Sequence, residues 1–301
     1  MQPLLAGNAL FALAAAVLWG GSDFSGGMGV KSAGGGVRAA LRVVLLSHVC
    51  SFIVLIVLAR LRGDAAPHGA LLAWGIVAGL SGGLALTAFY IALSRGAMGA
   101  SAAVSGLLAA AMPSALTLWR QGTPGALPLL GFGAAAIAIW LIAGGPASGS
   151  SSEAQSAGTR QTMALAMFAG LGFGFYVISL KMANPAGVIW PMASARIGSL
   201  SICSLALLGL RLRPAQPDEA RARLNRTAVV WTLTTALLDT SGNLLFVAAT
   251  RAGRLDVAAV LAALYPASTI LLAAFVLGEW PTRRQALGMA AAAVAVALIA
   301  L

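Results

Sequence analysis

Two carboxylates stand where water should be absent. Asp23, in LWGGSDF, and Asp239, in LLDTSGNLL, fall well inside apolar runs, whereas the other six of the eight acids lie at expected loops or helix ends. An Asp at the bilayer centre costs about 2.5–3.5 kcal/mol on insertion scales, so each should face a hydrated cavity or meet a cation. The chemistry open to them is solute binding, with proton exchange as a further step. Asp239 shares a turn with Thr240, Ser241 and Asn243, which reads as cavity lining; the alternative is a carboxylate satisfying a helix broken at Gly242. Asp23 reads either as cavity lining or as a group close enough to the interface for water to reach it.

The residues around them divide in the same way. Arg42 and Arg196 sit about one turn inside the second helix of each half, where a long side chain can snorkel to headgroups; the alternative is pairing with Asp23 or Asp239. His48 reads as a hydrogen-bonded packing residue rather than a proton relay. Six tryptophans (Trp74, Trp119, Trp140, Trp190, Trp231, Trp280) fall near helix ends, as interfacial anchors should. Trp19 instead lies mid-helix beside a Gly pair and Asp23, and is expected to face a central cavity. Tyr90, Tyr176 and Tyr265 also fall within helices, where each hydroxyl needs a polar partner or water. Pro113 and Pro266 occupy corresponding places in the two halves and would free the carbonyls of Ala109 and Ala262, a paired kink that points to gating. Gly75, Gly79 and Gly83 recur every four residues and should let a neighbouring helix approach closely.

What must position these residues is a set of membrane helices. Of 301 residues, 59% are hydrophobic and 9% charged, with mean hydropathy +0.91; soluble domains carry about 25% charge. Ten crossings of about 20 residues consume roughly 200 positions and leave no room for a large soluble domain. Apolar runs occur near Ala9–Met28, Val37–Leu58, Ala70–Leu93, Gly99–Trp119 and Leu127–Ala143, then near Met163–Leu180, Val188–Leu210, Ala228–Ala249, Val257–Leu277 and Ala286–Leu301. Backbone in hydrocarbon must satisfy its own hydrogen bonds, so helix is expected over strand, and the alternation of a barrel strand is absent. The first run lacks a basic leader and a clean cleavage pattern, and reads as a retained helix. The net charge of +11 comes from basic residues between apolar runs, where they orient helices, so nucleic-acid binding is not expected. Cys50 and Cys203 lie in apolar stretches and suggest neither a disulfide nor a metal site.

The Ser- and Gly-rich stretch Ser148–Arg160 reads as a flexible linker. It divides the chain into a first unit (1–147), a linker (148–161) and a second unit (162–301). Leu129–Gly144 laid on Ala286–Leu301 matches at roughly nine of sixteen positions; the same offset aligns Trp74 with Trp231 and, with small shifts, Arg42 with Arg196 and Cys50 with Cys203. Five is odd, so two such units in one chain must insert with opposite orientation, the architecture of many secondary carriers. The expected fold is therefore an all-α polytopic membrane protein, ten transmembrane helices as two inverted five-helix repeats.

The order of the ten helices, LWGGSDF in the first, an Arg in the second of each half, and LYPASTILLAAFVLGEWPTRRQALG across the ninth and tenth resemble the EamA-type drug/metabolite transporter superfamily. The resemblance covers nearly the whole chain. It departs at Leu277–Glu279, where LGE has no acidic counterpart in the first half; TLWRQG (Thr117–Gly122) stands there instead, and no role for a Glu carries over. The resemblance implies a membrane-embedded carrier of small molecules, export more than import, at the plasma membrane (the inner membrane of a bacterium), with both termini cytoplasmic. Charge points the other way. Arg211, Arg213, Arg221, Arg223 and Arg226 load the seventh loop, so the positive-inside rule places the odd-numbered loops in the cytoplasm and both termini outside.

No GxxxxGK[ST] loop is present, so transport would be secondary, driven by an ion, a proton or exchange. No cofactor and no metal site are expected, His68 stands alone, and an enzyme is not expected. The functional expectation is an alternating-access carrier of small metabolites or drug-like solutes, with Trp19, Asp23, Tyr90, Tyr176, Asp239, Asn243 and Tyr265 lining its cavity. The aromatics hint at amino acids or drug-like cations. A non-transporting scaffold or regulatory subunit is the alternative, and a membrane-embedded enzyme a lesser one. Partners would be a solute, protons and the bilayer, in a monomer or homodimer.

Overall fold

The computed structural model describes residues 2–95, 98–143, 153–212, 224–278, 280 and 282–300. Among them every regular element is helical: α1 (Gln2–Ser32), α2 (Gly36–Arg62), α3 (Gly69–Ser94), α4 (Met98–Gln121), α5 (Ala126–Ala143), α6 (Glu153–Ala183), α7 (Ile189–Arg211), α8 (Arg226–Ala252), α9 (Leu255–Ala262), α10 (Tyr265–Leu277) and α11 (Arg283–Ala300), with a 3-10 turn at Asn184–Ala186. Among the described residues, α1 to α4, α6, α7 and the α9–α10 pair are long and apolar enough to cross a membrane, seven candidates where the sequence suggested ten. In α8 the polar run from Thr232 to Asn243 dilutes the hydropathy.

Two boundaries differ from expectation. The linker is shorter than its Ser and Gly content suggests, because α6 begins at Glu153, where the helix formers Glu153, Ala154 and Gln155 take over; residues 148–152 lie outside the described residues, as do Arg213, Arg221, Arg223 and Glu279. The ninth run is two helices. Pro266 has no N–H to donate, and the chain turns at Ala263 and Leu264 before α10 starts. Its counterpart Pro113 leaves α4 unbroken, with the Thr117 hydroxyl donating to the Pro113 carbonyl at 2.8 Å. Of the two prolines, Pro266 thus falls at a break between two helices and Pro113 inside one.

Local signals explain the tight connections. Gly34, Gly35 and Gly36 all have positive φ (98°, 75° and 76°), a conformation that costs a side chain dearly, and they reverse the chain between α1 and α2 within a few residues. Asn225 caps α8 by accepting from the Ala228 N–H at 2.8 Å, while its amide donates to the Ser32 carbonyl at the end of α1.

Small residues make the interior and large ones the outside. The two apolar clusters are dominated by alanine, whereas Leu10, Val17, Ile53, Leu61, Leu205 and Phe275 are exposed on outer faces. This is the pattern of a bundle whose solvent is as apolar as leucine: helices gain by close packing, so small residues meet and bulky ones face lipid. The crossing of α3 and α7 is the tightest case. A Cβ added at Gly79 would lie 1.7 Å from the Ala195 carbonyl oxygen, and one at Gly198 would lie 2.1 Å from that of Ile76. The glycine repeat on α3 therefore fixes where α7, and Arg196 on it, sits in the bundle.

Candidate functional site

The helices line a partly open cavity of about 90 Å³ near their midpoints. That is room for several waters. Both halves contribute: α1 to α4 from the first, and α6 to α10 from the second.

Trp19 and Asp23 reach the cavity from one face of α1, as their spacing of four dictates. Tyr176 on α6, Asp239 and Asn243 on α8, and Tyr265 at the start of α10 also line it. Tyr90 does not. It is buried on α3 behind the wall, its ring lying where a Cβ on Gly26 would be, and its hydroxyl has no hydrogen-bond partner among the described residues. Pro113 and Pro266 are likewise absent from the lining, although Ala109 and Ala263, in the turns preceding them, belong to it.

The two carboxylates occupy different electrostatic environments. Asp239 Oδ2 accepts from Arg196 Nη2 in an ion pair whose side chains are 5% (Arg196) and 13% (Asp239) exposed, and Oδ1 accepts from Asn243 Nδ2 at 2.8 Å. The snorkelling expectation therefore fails for Arg196. Its α7 register, set by the glycine crossing, aims the guanidinium inward rather than at the headgroups. Its other nitrogens are engaged too: Nε donates to Ser51 Oγ at 2.9 Å and Nη1 to His48 Nε2 at 2.8 Å.

Those contacts determine the state of His48. A guanidinium only donates, so Nε2 must carry the lone pair and Nδ1 the proton. Nδ1 then donates to Ser199 Oγ at 2.7 Å, and Ser199 passes its own proton towards the Arg196 carbonyl at 3.1 Å. His48 is a hydrogen-bonded packing residue, as expected, but it is also part of the cavity wall. The polar chain continues on the other side of Asp239, where the Tyr176 hydroxyl donates to Asn243 Oδ1 at 2.7 Å.

Asp23 is 7% exposed, lines the same cavity, and has neither a hydrogen bond nor an ion pair among the described residues. Around it the wall is aromatic. The Trp19 ring sits 5.1 Å from Phe246, against α8 where Gly242 leaves it space, and Phe173 and Tyr265 both meet Phe89 edge-on, at 5.6 and 6.3 Å. The Tyr265 hydroxyl is engaged by Ser105 Oγ at 2.6 Å.

One buried charge pair was not legible as such. Asp256 is expected at a helix end, yet it is 0% exposed: its carboxylate accepts from Arg254 Nε at 3.1 Å and Nη2 at 2.8 Å, and from the Val257 N–H at 2.9 Å. Arg254 also donates to the Gly122 carbonyl beyond α4, and its own carbonyl accepts from Asn8 on α1. The sequence signal was present in the Arg-x-Asp spacing at the start of α9. Among the described residues no cluster of three metal-ligating side chains occurs.

Comparisons with known proteins fit this architecture. Residues 160–301 match the EamA-like transporter family, in accord with the drug/metabolite transporter superfamily. No curated protein matches the chain. Seventeen solved chains do. One, a crystal structure described only as that of a protein, is 16% identical, covers 97% of this chain and 95% of its own, and has a TM-score of 0.68, a likeness in fold over nearly the whole length.

Proposed function

We propose that the whole chain is a secondary carrier; the match of residues 160–301 to the EamA-like transporter family and the helices long and apolar enough to cross a membrane support the reading. It takes small metabolites or drug-like solutes through the central cavity by alternating access, in the direction of export. The observation that carries the reading is a mid-bundle cavity built by both halves, holding one carboxylate paired with Arg196 and one with no partner among the described residues.

The packing supports two inverted five-helix units, with α9 and α10 counted as one crossing. The first helix of each half lies along the third helix of the other, α1 on α8 and α6 on α3, while α2 meets α7 and α5 meets α11. Lys181, near the end of α6, donates to the Thr250 carbonyl near the end of α8, so those two run the same way. Asn225, at the start of α8, reaches Ser32 at the end of α1, so α1 runs the opposite way. The first helices of the two halves thus oppose each other, as inversion requires. Of the two carboxylates, Asp23 is the one left to exchange a proton or a solute, since Asp239 is held by Arg196.

Reconstitution tests this. Purified protein in liposomes should move at least one solute of a metabolite panel, with Asp239→Asn lowering the flux at least tenfold by dismantling the cavity wall. If no solute moves and Asp239→Asn changes nothing, the carrier reading fails and a non-transporting scaffold replaces it.

A further inference from the structure

The charged groups of the cavity do not balance. Its lining includes one arginine and two aspartates, Arg196, Asp239 and Asp23. The first two neutralise each other at hydrogen-bond contact, and the contacts of His48 hold it in its neutral form. Asp23 is left as a carboxylate that is more than nine-tenths buried, turned into the cavity and without a partner among the described residues. A buried carboxylate is satisfied by a cation with hydrogen bonds to give, and the protein has already committed its nearby one elsewhere.

The rest of the wall narrows the kind of cation. Calcium or magnesium needs about six oxygen ligands, whereas Asp23 offers a single carboxylate among aromatic rings. Trp19 stands one turn from Asp23 on the same face of α1, with Phe246 against it, and Tyr265 faces the same space. Indole and phenol faces attract ammonium groups, and their apolar bodies suit a hydrocarbon tail. An anion would meet the opposite reception. Each nitrogen of Arg196 already donates once to a protein acceptor, and its charge is paired with Asp239, so it offers no uncompensated charge to a solute carboxylate or phosphate.

Resting on the carrier reading above, we infer that the solute is an organic cation, a protonated amine with an apolar or aromatic body, whose ammonium is held by Asp23 and whose body lies between Trp19, Phe246 and Tyr265. Asp239, which looks equivalent in sequence, shapes the wall and does not hold the charge. Asp23 and Trp19 belong to the first half and Phe246 and Tyr265 to the second, so a bound cation would join the two units.

The test uses the full-length protein in detergent and three probes of one shape: phenethylammonium, phenethyl alcohol and phenylacetate. Thermal denaturation and calorimetry should register binding of phenethylammonium, and binding of the alcohol and the carboxylate at least tenfold weaker. Asp23→Asn should weaken the cation about tenfold or more, the loss of one charge-assisted contact, while remaining monodisperse, because Asp23 makes no hydrogen bond or ion pair among the described residues and the amide keeps its volume. Asp23→Glu should restore part of the affinity, which a merely structural role would not. Equal binding of the three probes, preference for phenylacetate, unchanged affinity in Asp23→Asn, or no binding of any probe overturns the assignment. Flux of the same probes in liposomes separates the two claims. Asp23-dependent binding without flux refutes the carrier and leaves the cation site; flux of neutral or anionic solutes without cation binding refutes the cation site and leaves the carrier.

Discussion

Substituting Asp239 by Asn changes no volume and one charge, and the neighbours make the outcome calculable. Asp239 accepts through both oxygens, from Arg196 Nη2 and from Asn243 Nδ2. Both neighbours are donors at those atoms. An amide offers one acceptor and one donor in their place, so whichever way Asn turns, one contact sets donor against donor, and Arg196, 4% exposed as a residue, loses its counter-charge. Breaking a buried pair by removing one partner costs about 3–5 kcal/mol, whereas neutral hydrogen bonds between membrane helices contribute about 0.6 kcal/mol each. The charge term therefore dominates over the links through Ser51, Thr240 and Tyr176. A loss of about 3 kcal/mol is expected, roughly a hundredfold in the folding equilibrium. Arg196→Met should cost a similar amount by stranding the carboxylate. The double variant Arg196→Met with Asp239→Leu should recover most of it, since a buried pair replaced by apolar groups is often neutral. Reversible unfolding in mixed micelles of Arg196→Met, Asp239→Leu and the variant carrying both, arranged as a double-mutant cycle, measures the coupling. If the single losses simply add, within about 0.5 kcal/mol, the ion pair contributes nothing and the division of roles between the two carboxylates is wrong.

Two further outcomes follow from close packing and from the second buried pair. Gly79→Ala should abolish a monodisperse folded protein, because its Cβ would lie 1.7 Å from the Ala195 oxygen, while Gly133→Ala, with nothing within 4 Å, should leave size-exclusion behaviour and melting unchanged. Asp256→Ala should destabilise by about 3 kcal/mol in the same micelle titration, whereas Asp64→Ala, which removes a partner of the largely exposed Arg62, should change stability by less than about 1 kcal/mol.

Much of the architecture could be read along the chain because its causes are local. Whether a segment enters a bilayer depends on its own composition, so the helices and the cost of Asp23 and Asp239 were visible without a partner in sight. The same holds for Trp19 and Asp23, which share a face by their spacing of four, and for the glycine repeat on α3. A composition count failed where it averaged over unlike residues, as in the linker, whose Ser and Gly content masked the start of α6 at Glu153.

Nothing local distinguished the two aspartates. Each sits beside small and polar residues, and each had an arginine one helix away as a candidate partner. Their difference arises where α3 and α7 cross: two glycines allow backbone contact, that contact sets the height of Arg196, and at that height the guanidinium meets Asp239, His48 and Ser51 from helices far apart in sequence. Insertion is decided segment by segment, but neutralisation of a buried charge needs two side chains within about 3 Å, and only the packed bundle sets that distance.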